Sequence, residues 1–216
     1  MKNWLIIWLL SCLLIEGSSS MAKEEIKLPA PKLKSVMSVE EAIYKRRSKR
    51  DFLKKDLSLE QISQLCFSAQ GKTEKSWGLR AAPSAGALYP LEIYLVKSDG
   101  VFHYIPEEHK LLSIVKGDRR DELAAAALGQ SFIAEAPVDI VITAVYQRTR
   151  GKYGTRAERY VHIEAGHAAQ NIHLQAVALG LGSVPIGAFF DEAVKSVLNL
   201  PKDHEPIYII PVGYAR

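Results

Sequence analysis

The chain has 216 residues, of which 48% are apolar and 24% charged, and a formal net charge of +4. This is ordinary globular composition, long enough for one sizeable core and one domain. The mild charge, spread through the chain, argues against nucleic acid as a partner and leaves room for a local cationic cluster facing an anionic ligand.

Lys2 precedes an apolar run from Trp4 to Ile15, broken by Ser11 and Cys12 and too short for a comfortable membrane span. Residues 1–22 read as an export signal, because Ser20-Met21-Ala22 places small residues three and one positions before Lys23. The mature protein is then periplasmic or extracellular. Two other readings stay open: Leu9-Leu10-Ser11-Cys12 has the shape of a lipoprotein box, which would anchor the chain in a membrane through Cys12, and initiation at Met21 would leave a cytoplasmic protein. Removing residues 1–22 deletes Lys2 and Glu16, so the net charge is unchanged, and leaves only Cys66, so no intrachain disulfide forms.

Residues 23–37, with Pro29 and Pro31, read as an extended arm, and residues 38–216 as the domain. Ser38 with Glu41 makes a capping box for a helix whose apolar stripe is Val39, Ala42 and Ile43. Ser58 with Gln61 opens a second, burying Leu59, Ile62, Leu65, Cys66 and Ala69 and stopping at Gly71. Residues 72–90, rich in Gly and Pro, are a functional-loop candidate. Residues 91–96 and 101–105 are strands around the hairpin signal Asp99-Gly100. A helix over 118–128, a buried strand over 138–146, a long helix over 157–179, a short helix over 191–198 and a strand over 207–212 complete the domain. The βαβ alternation of a parallel sheet is absent, so the fold class is α+β.

Arg46-Arg47-Ser48-Lys49-Arg50 puts four cations and a hydroxyl directly after a helix. Arginine forks suit bidentate phosphate binding, but from this cluster alone the favoured reading is a solvated basic helix end, whose cations complement the helix dipole. Ala82-Pro83-Ser84-Ala85-Gly86-Ala87-Leu88-Tyr89-Pro90 has small side chains that let the backbone approach a flat ligand, with Ser84 offering a hydroxyl. In the long helix, Ala165, Gly166, Ala168, Ala169 and Ala176 make a smooth surface, suited to a dimer seam or to a close-packed monomer core. His162, His167 and His173 are spaced five and six apart and point to different faces, which is structural spacing and not that of a metal site.

The basic run, the Pro83–Pro90 loop, Glu164-Ala165-Gly166-His167-Ala168-Ala169-Gln170-Asn171 and Pro185-Ile186-Gly187-Ala188-Phe189 occur together in this order. Through them the chain, from about Ser38 to Tyr214, resembles the nitroreductase-like FMN proteins, and within them the branch of SagB-type dehydrogenases and thiazole oxidases. The resemblance implies a central, mostly antiparallel sheet flanked by helices, in an entwined homodimer with FMN sites at the subunit interface. It assigns the phosphate and ribityl chain of FMN to Arg46, Arg47, Ser48 and Arg50, with Arg216 as a C-terminal basic residue. It places Pro83, Ser84, Ala85, Gly86 and Leu88 against the flavin, with backbone contacts from Val184, Pro185, Ile186 and Gly187. Lys152-Tyr153, in the flexible stretch Arg150–Gly154, matches a lysine–tyrosine pair assigned to proton removal in thiazole oxidases; a plain surface loop is the other reading. The implied activity is FMN-dependent redox chemistry through flavin N5, with NAD(P)H or an organic substrate, small molecule or peptide, as donor. A noncatalytic flavin- or nucleotide-binding protein on the same fold is the alternative.

Overall fold

The computed structural model describes residues 24–74 and 76–216. The export-signal, lipoprotein-box and Met21 readings concern residues outside this range.

The segment before the first helix contributes a short strand, β1 (Glu25–Lys27). Helix α1 (Val39–Lys45) starts where the Ser38 hydroxyl accepts the Glu41 N–H at 3.1 Å. Only Ala42 of its apolar stripe is buried; Val39, Ile43 and the neighbouring Tyr44 are exposed. Helix α2 (Leu59–Gln70) begins with the full reciprocal Ser58–Gln61 capping box and buries Ile62, Leu65, Cys66 and Ala69, whereas Leu59, expected on that face, is 38% exposed. A small hairpin of β2 (Lys72–Glu74) and β3 (Leu79–Arg80) leads into the loop at 81–90.

Strands β4 (Leu91–Lys97), β5 (Gly100–Ile105) and β6 (Lys110–Lys116) form a meander, followed by helices α3 (Arg120–Ala126) and α4 (Ser131–Glu135) and strand β7 (Val138–Ala144). Helices α5 (Tyr146–Tyr153) and α6 (Ala157–Ala178) are nearly continuous, and β8 (Gly182–Ser183), α7 (Asp191–Leu198) and β9 (Glu205–Gly213) close the chain. The seven-stranded sheet runs β1-β6-β5-β4-β7-β9-β8 with antiparallel neighbours throughout.

Alternation along the central strands sends side chains into two cores. Leu91, Ile93, Leu95, Ile140 and Ile142 pack under α2 and α6, while Tyr94, Val96, Val141 and Ile209 pack under α3, α4 and α7. Each such fully buried side chain contributes roughly 1.5–3 kcal/mol. The alanines of α6 belong to the first core: Ala165, Ala168, Ala169 and Ala176 are buried within their own chain, and only Gly166 of that set is exposed. Small residues there bring α6 close to α2 and β4, so the smooth surface closes the monomer core. Apolar side chains left exposed include Leu33, Val36, Val39, Ile43 and Tyr44 on and just before α1, and Trp77, Leu128, Ile163 and Phe190 elsewhere.

Candidate active site

The basic run leaves α1 in extended form and is stitched to the far end of the chain. Ser48 forms a parallel bridge with Ser183, the Lys49 N–H donates to Ser183 O at 3.0 Å, Leu53 N–H to Tyr214 O at 2.8 Å, and Arg216 N–H to Asp51 O at 3.1 Å. This close approach requires a glycine at 182: a Cβ there would stand 2.7 Å from Lys49 Cβ and 2.9 Å from Ala215 Cβ. Arg216 is therefore held by its backbone beside the run, and its Nε lies 3.6 Å from Asp51.

Arg46 is half-buried and its Nη1 donates to His173 Nε2 at 3.0 Å. A guanidinium can only donate, so Nε2 is the acceptor and the imidazole proton sits on Nδ1, from which it donates to Ser183 Oγ at 2.5 Å. Burial first, and the Arg46 charge second, hold the His173 imidazole down at about 4, so it is neutral at physiological pH. Arg47 is exposed and donates to the carbonyls of Tyr44 and Arg46, at 3.1 and 2.7 Å. Arg50 lies over the Phe132 ring. Among the described residues, none of Arg46, Arg47, Lys49 and Arg50 is paired with a carboxylate. Beyond Ser183 the side chains of Val184 and Ile186 are buried in the second core, Ile186 and Ile209 exchange backbone bonds at 2.8 and 3.0 Å, Pro185 is half-buried and Gly187 is exposed.

The loop at 81–90 is a second cluster. Gly86, Ala87 and Tyr89 have φ of 64°, 54° and 45°, in the left-handed region, where the two non-glycine residues cost roughly 1–2 kcal/mol each. Several bonds hold that conformation: Tyr89 N–H to Ser84 Oγ at 2.9 Å, Arg80 N–H to Tyr89 Oη at 3.1 Å, and Arg148 Nη1 to Tyr89 O at 3.1 Å. Arg148 is fixed in turn by Glu92 at 2.5 Å. Lys152 and Tyr153 close over the loop: a Cβ at Gly86 would stand 2.9 Å from Tyr153 Oη and 3.0 Å from Lys152 Nζ. Their stretch is not a flexible loop but the last turn of α5, which packs on α6 through Tyr146–His162 at 2.6 Å and a Tyr153–Tyr160 edge contact. Beneath the loop, Glu164 of α6 is 2% exposed and its Oε1 has no hydrogen-bond partner. Burial raises it to about 7 against the opposing effects of Ser84, Arg80 and Gln70.

The run, the loop and the lysine–tyrosine pair named from the sequence lie in these two clusters, and Arg148, Glu164, Asn171 and His173, which the sequence did not tie to them, pack behind them. Asn171 Nδ2 reaches the loop at Ala81 O, 3.4 Å away. The two clusters use different sides of α6. At about 100° per residue, Asn171 falls on the same side as Glu164, whereas His173, nine residues on, points the opposite way.

Seven antiparallel strands between helical layers, with a basic run and a small-residue loop that holds three residues at positive φ, define an α+β protein. Comparison with known proteins makes this specific. The nitroreductase family model matches residues 43–214. A Methanocaldococcus jannaschii protein assigned to the nitroreductases is 42% identical over 196 residues, 88% of this chain and 97% of its own. The crystal structure of a Ralstonia eutropha protein assigned to the same group superposes with a TM-score of 0.81 at 30% identity, covering 89% of this chain and 90% of its own. The microcin B17-processing protein McbC of Escherichia coli is 26% identical over 158 residues, 68% of this chain and 58% of its own. The chain belongs to the nitroreductase family and is an oxidoreductase with the nitroreductase fold.

Proposed function

We propose that the chain is an FMN-dependent oxidoreductase of the SagB-type branch, working as a homodimer. The observation that carries this reading is the run of cations at 46–50, fixed to β8 and the C-terminus yet without carboxylate partners among the described residues. Such a donor set fits a phosphate monoester, since uncompensated guanidinium groups held in place gain most from a dianion. Arg46, Arg47, Ser48 and Arg50 would hold the phosphate, with Arg216 beside them. The backbone of 184–187 and the Pro83–Leu88 loop would face the ring. Bound flavin supplies two-electron transfer between a donor, NAD(P)H or an organic substrate, and an acceptor.

The two sides of α6 support the dimer. The phosphate cluster and the loop cluster face away from each other within one chain, so one ligand spanning both is served by the run of one copy and the loop of another. The open apolar surface at Leu33, Val36, Val39, Ile43 and Tyr44 is suited to that contact. Lys152 is exposed in the single chain, and a second copy would supply the burial it needs to act on a substrate proton. The likeness to McbC supports a substrate carried on a peptide, and the SagB-type assignment rests on that likeness and on the Lys152–Tyr153 contact with Gly86.

The test is a pair of titrations. Arg47→Ala should weaken FMN by about tenfold or more, from the loss of a charge-assisted bond of roughly 1.5–3 kcal/mol, while leaving riboflavin nearly unchanged. Equal weakening of both ligands, or colourless protein that binds neither, overturns the reading. Bound flavin that neither NAD(P)H nor thiazoline peptides reduce identifies a binding protein instead of an enzyme.

A further inference from the structure

The basic run explains which charges meet a phosphate but not what keeps the half-buried Arg46 aimed. We infer that His173 is a positioning residue for phosphate recognition: its Nε2 lone pair fixes the Arg46 guanidinium, and so sets the preference for FMN over riboflavin. This rests on the FMN reading above.

His173 is 2% exposed and sits in a linear relay of three elements, with Arg46 Nη1 at 3.0 Å on one nitrogen and Ser183 Oγ at 2.5 Å on the other. Both ring nitrogens are used and the tautomer is dictated by the partners. Ser183 belongs to the strand whose carbonyl also takes the Lys49 N–H, so the same short segment orients the run's backbone and, through the imidazole, its first guanidinium. An arginine side chain carries about 2 kcal/mol of rotamer entropy. Spending one N–H on a buried, neutral acceptor immobilises the fork while leaving its full charge and remaining donors for an anion. A carboxylate at 173 would hold Arg46 as firmly and neutralise it, which would defeat phosphate binding. Histidine kept neutral by burial does the first without the second.

The experiment separates the two ring nitrogens by substitution. Asparagine reaches only the Nδ1 position and keeps the Ser183 contact; glutamine reaches the Nε2 position, where its Oε1 can accept from Arg46. Expected are a loss of FMN affinity of about tenfold in His173→Asn, equivalent to about 1.4 kcal/mol, with riboflavin affinity within about twofold, and recovery of most of the loss in His173→Gln. In an Arg46→Ala background, His173→Asn should have no further effect on FMN, because the residue acts through Arg46. Parallel loss of FMN and riboflavin, failure of glutamine to rescue where asparagine folds, or additive losses in the double variant each refute the inference. Wild-type protein with no preference for FMN over riboflavin would instead sink the underlying FMN reading.

Discussion

Replacing Glu164 by Gln should stabilise the flavin-free protein at pH 8 and change it little at pH 4.5. The carboxyl is 2% exposed, one of its oxygens is unpartnered, and burial raises it from the ordinary 4.5 to about 7. At about 1.4 kcal/mol per pKa unit this corresponds to about 3 kcal/mol. The sign follows from the direction: a raised carboxyl pKa adds stability fully present below 4.5 and lost as pH rises through 7. Glutamine mimics the protonated acid in shape and does not titrate. The difference in unfolding free energy between wild type and Glu164→Gln should therefore move by about 3 kcal/mol in favour of the variant between pH 4.5 and 8. His109, His173 and His204 have lowered pKa values, mainly from burial, and impose the opposite slope, but they are common to both proteins and cancel in the difference. Urea unfolding at fixed protein concentration and several pH values reads this directly. A gap that stays constant from pH 5 to 8 would show that the carboxyl is not held neutral beneath the loop.

Three further outcomes follow from the geometry. Gly182→Ala forces Lys49 and Ala215 away from β8, so it should cost about 1–3 kcal/mol in denaturant unfolding and weaken FMN more than riboflavin; an unperturbed variant would refute the close approach. Ile43→Lys places a charge in the open apolar surface and should convert a dimer to a monomer by light scattering, with flavin lost in parallel; a wild-type protein already monomeric at micromolar concentration refutes the composite site. Lys152→Ala and Tyr153→Phe should reduce turnover about tenfold or more with FMN affinity within about twofold, since both side chains reach Gly86 and neither touches the basic run; a loss of binding without a loss of turnover per bound flavin refutes their placement on the substrate side.

Elements whose local chemistry agrees with their environment were legible from the residues alone. The Ser58–Gln61 box, the end of α7 at Asn199 in the left-handed conformation, and the apolar run of β7 each carry their own signal. The hairpin appeared one residue displaced: Lys97 pairs with Gly100, so Ser98-Asp99 make the turn. Strand β6 and helices α4 and α5 were missed because tertiary contacts decide them. Tyr146–Tyr153 is almost wholly polar and includes Gly151, a poor helix sequence that forms one against α6. The alanines of α6 show the converse, a pattern with two physical meanings that only packing resolves.

The site divides along the same line. Arg46–Arg50 and Pro83–Tyr89 are contiguous, so composition exposes them, whereas their supports are single residues scattered over α5 and α6. Glu164 and His173 both look like ordinary polar interruptions in an apolar face. Their meaning comes from what lies across from each: an orphaned carboxyl beneath the strained loop, and a neutral imidazole behind the first arginine. Nine residues, two and a half turns of α6, separate them, which leaves the two on opposite sides of the helix. In the proposed enzyme one helix would then back both halves of the site, and a second copy would be needed to complete it.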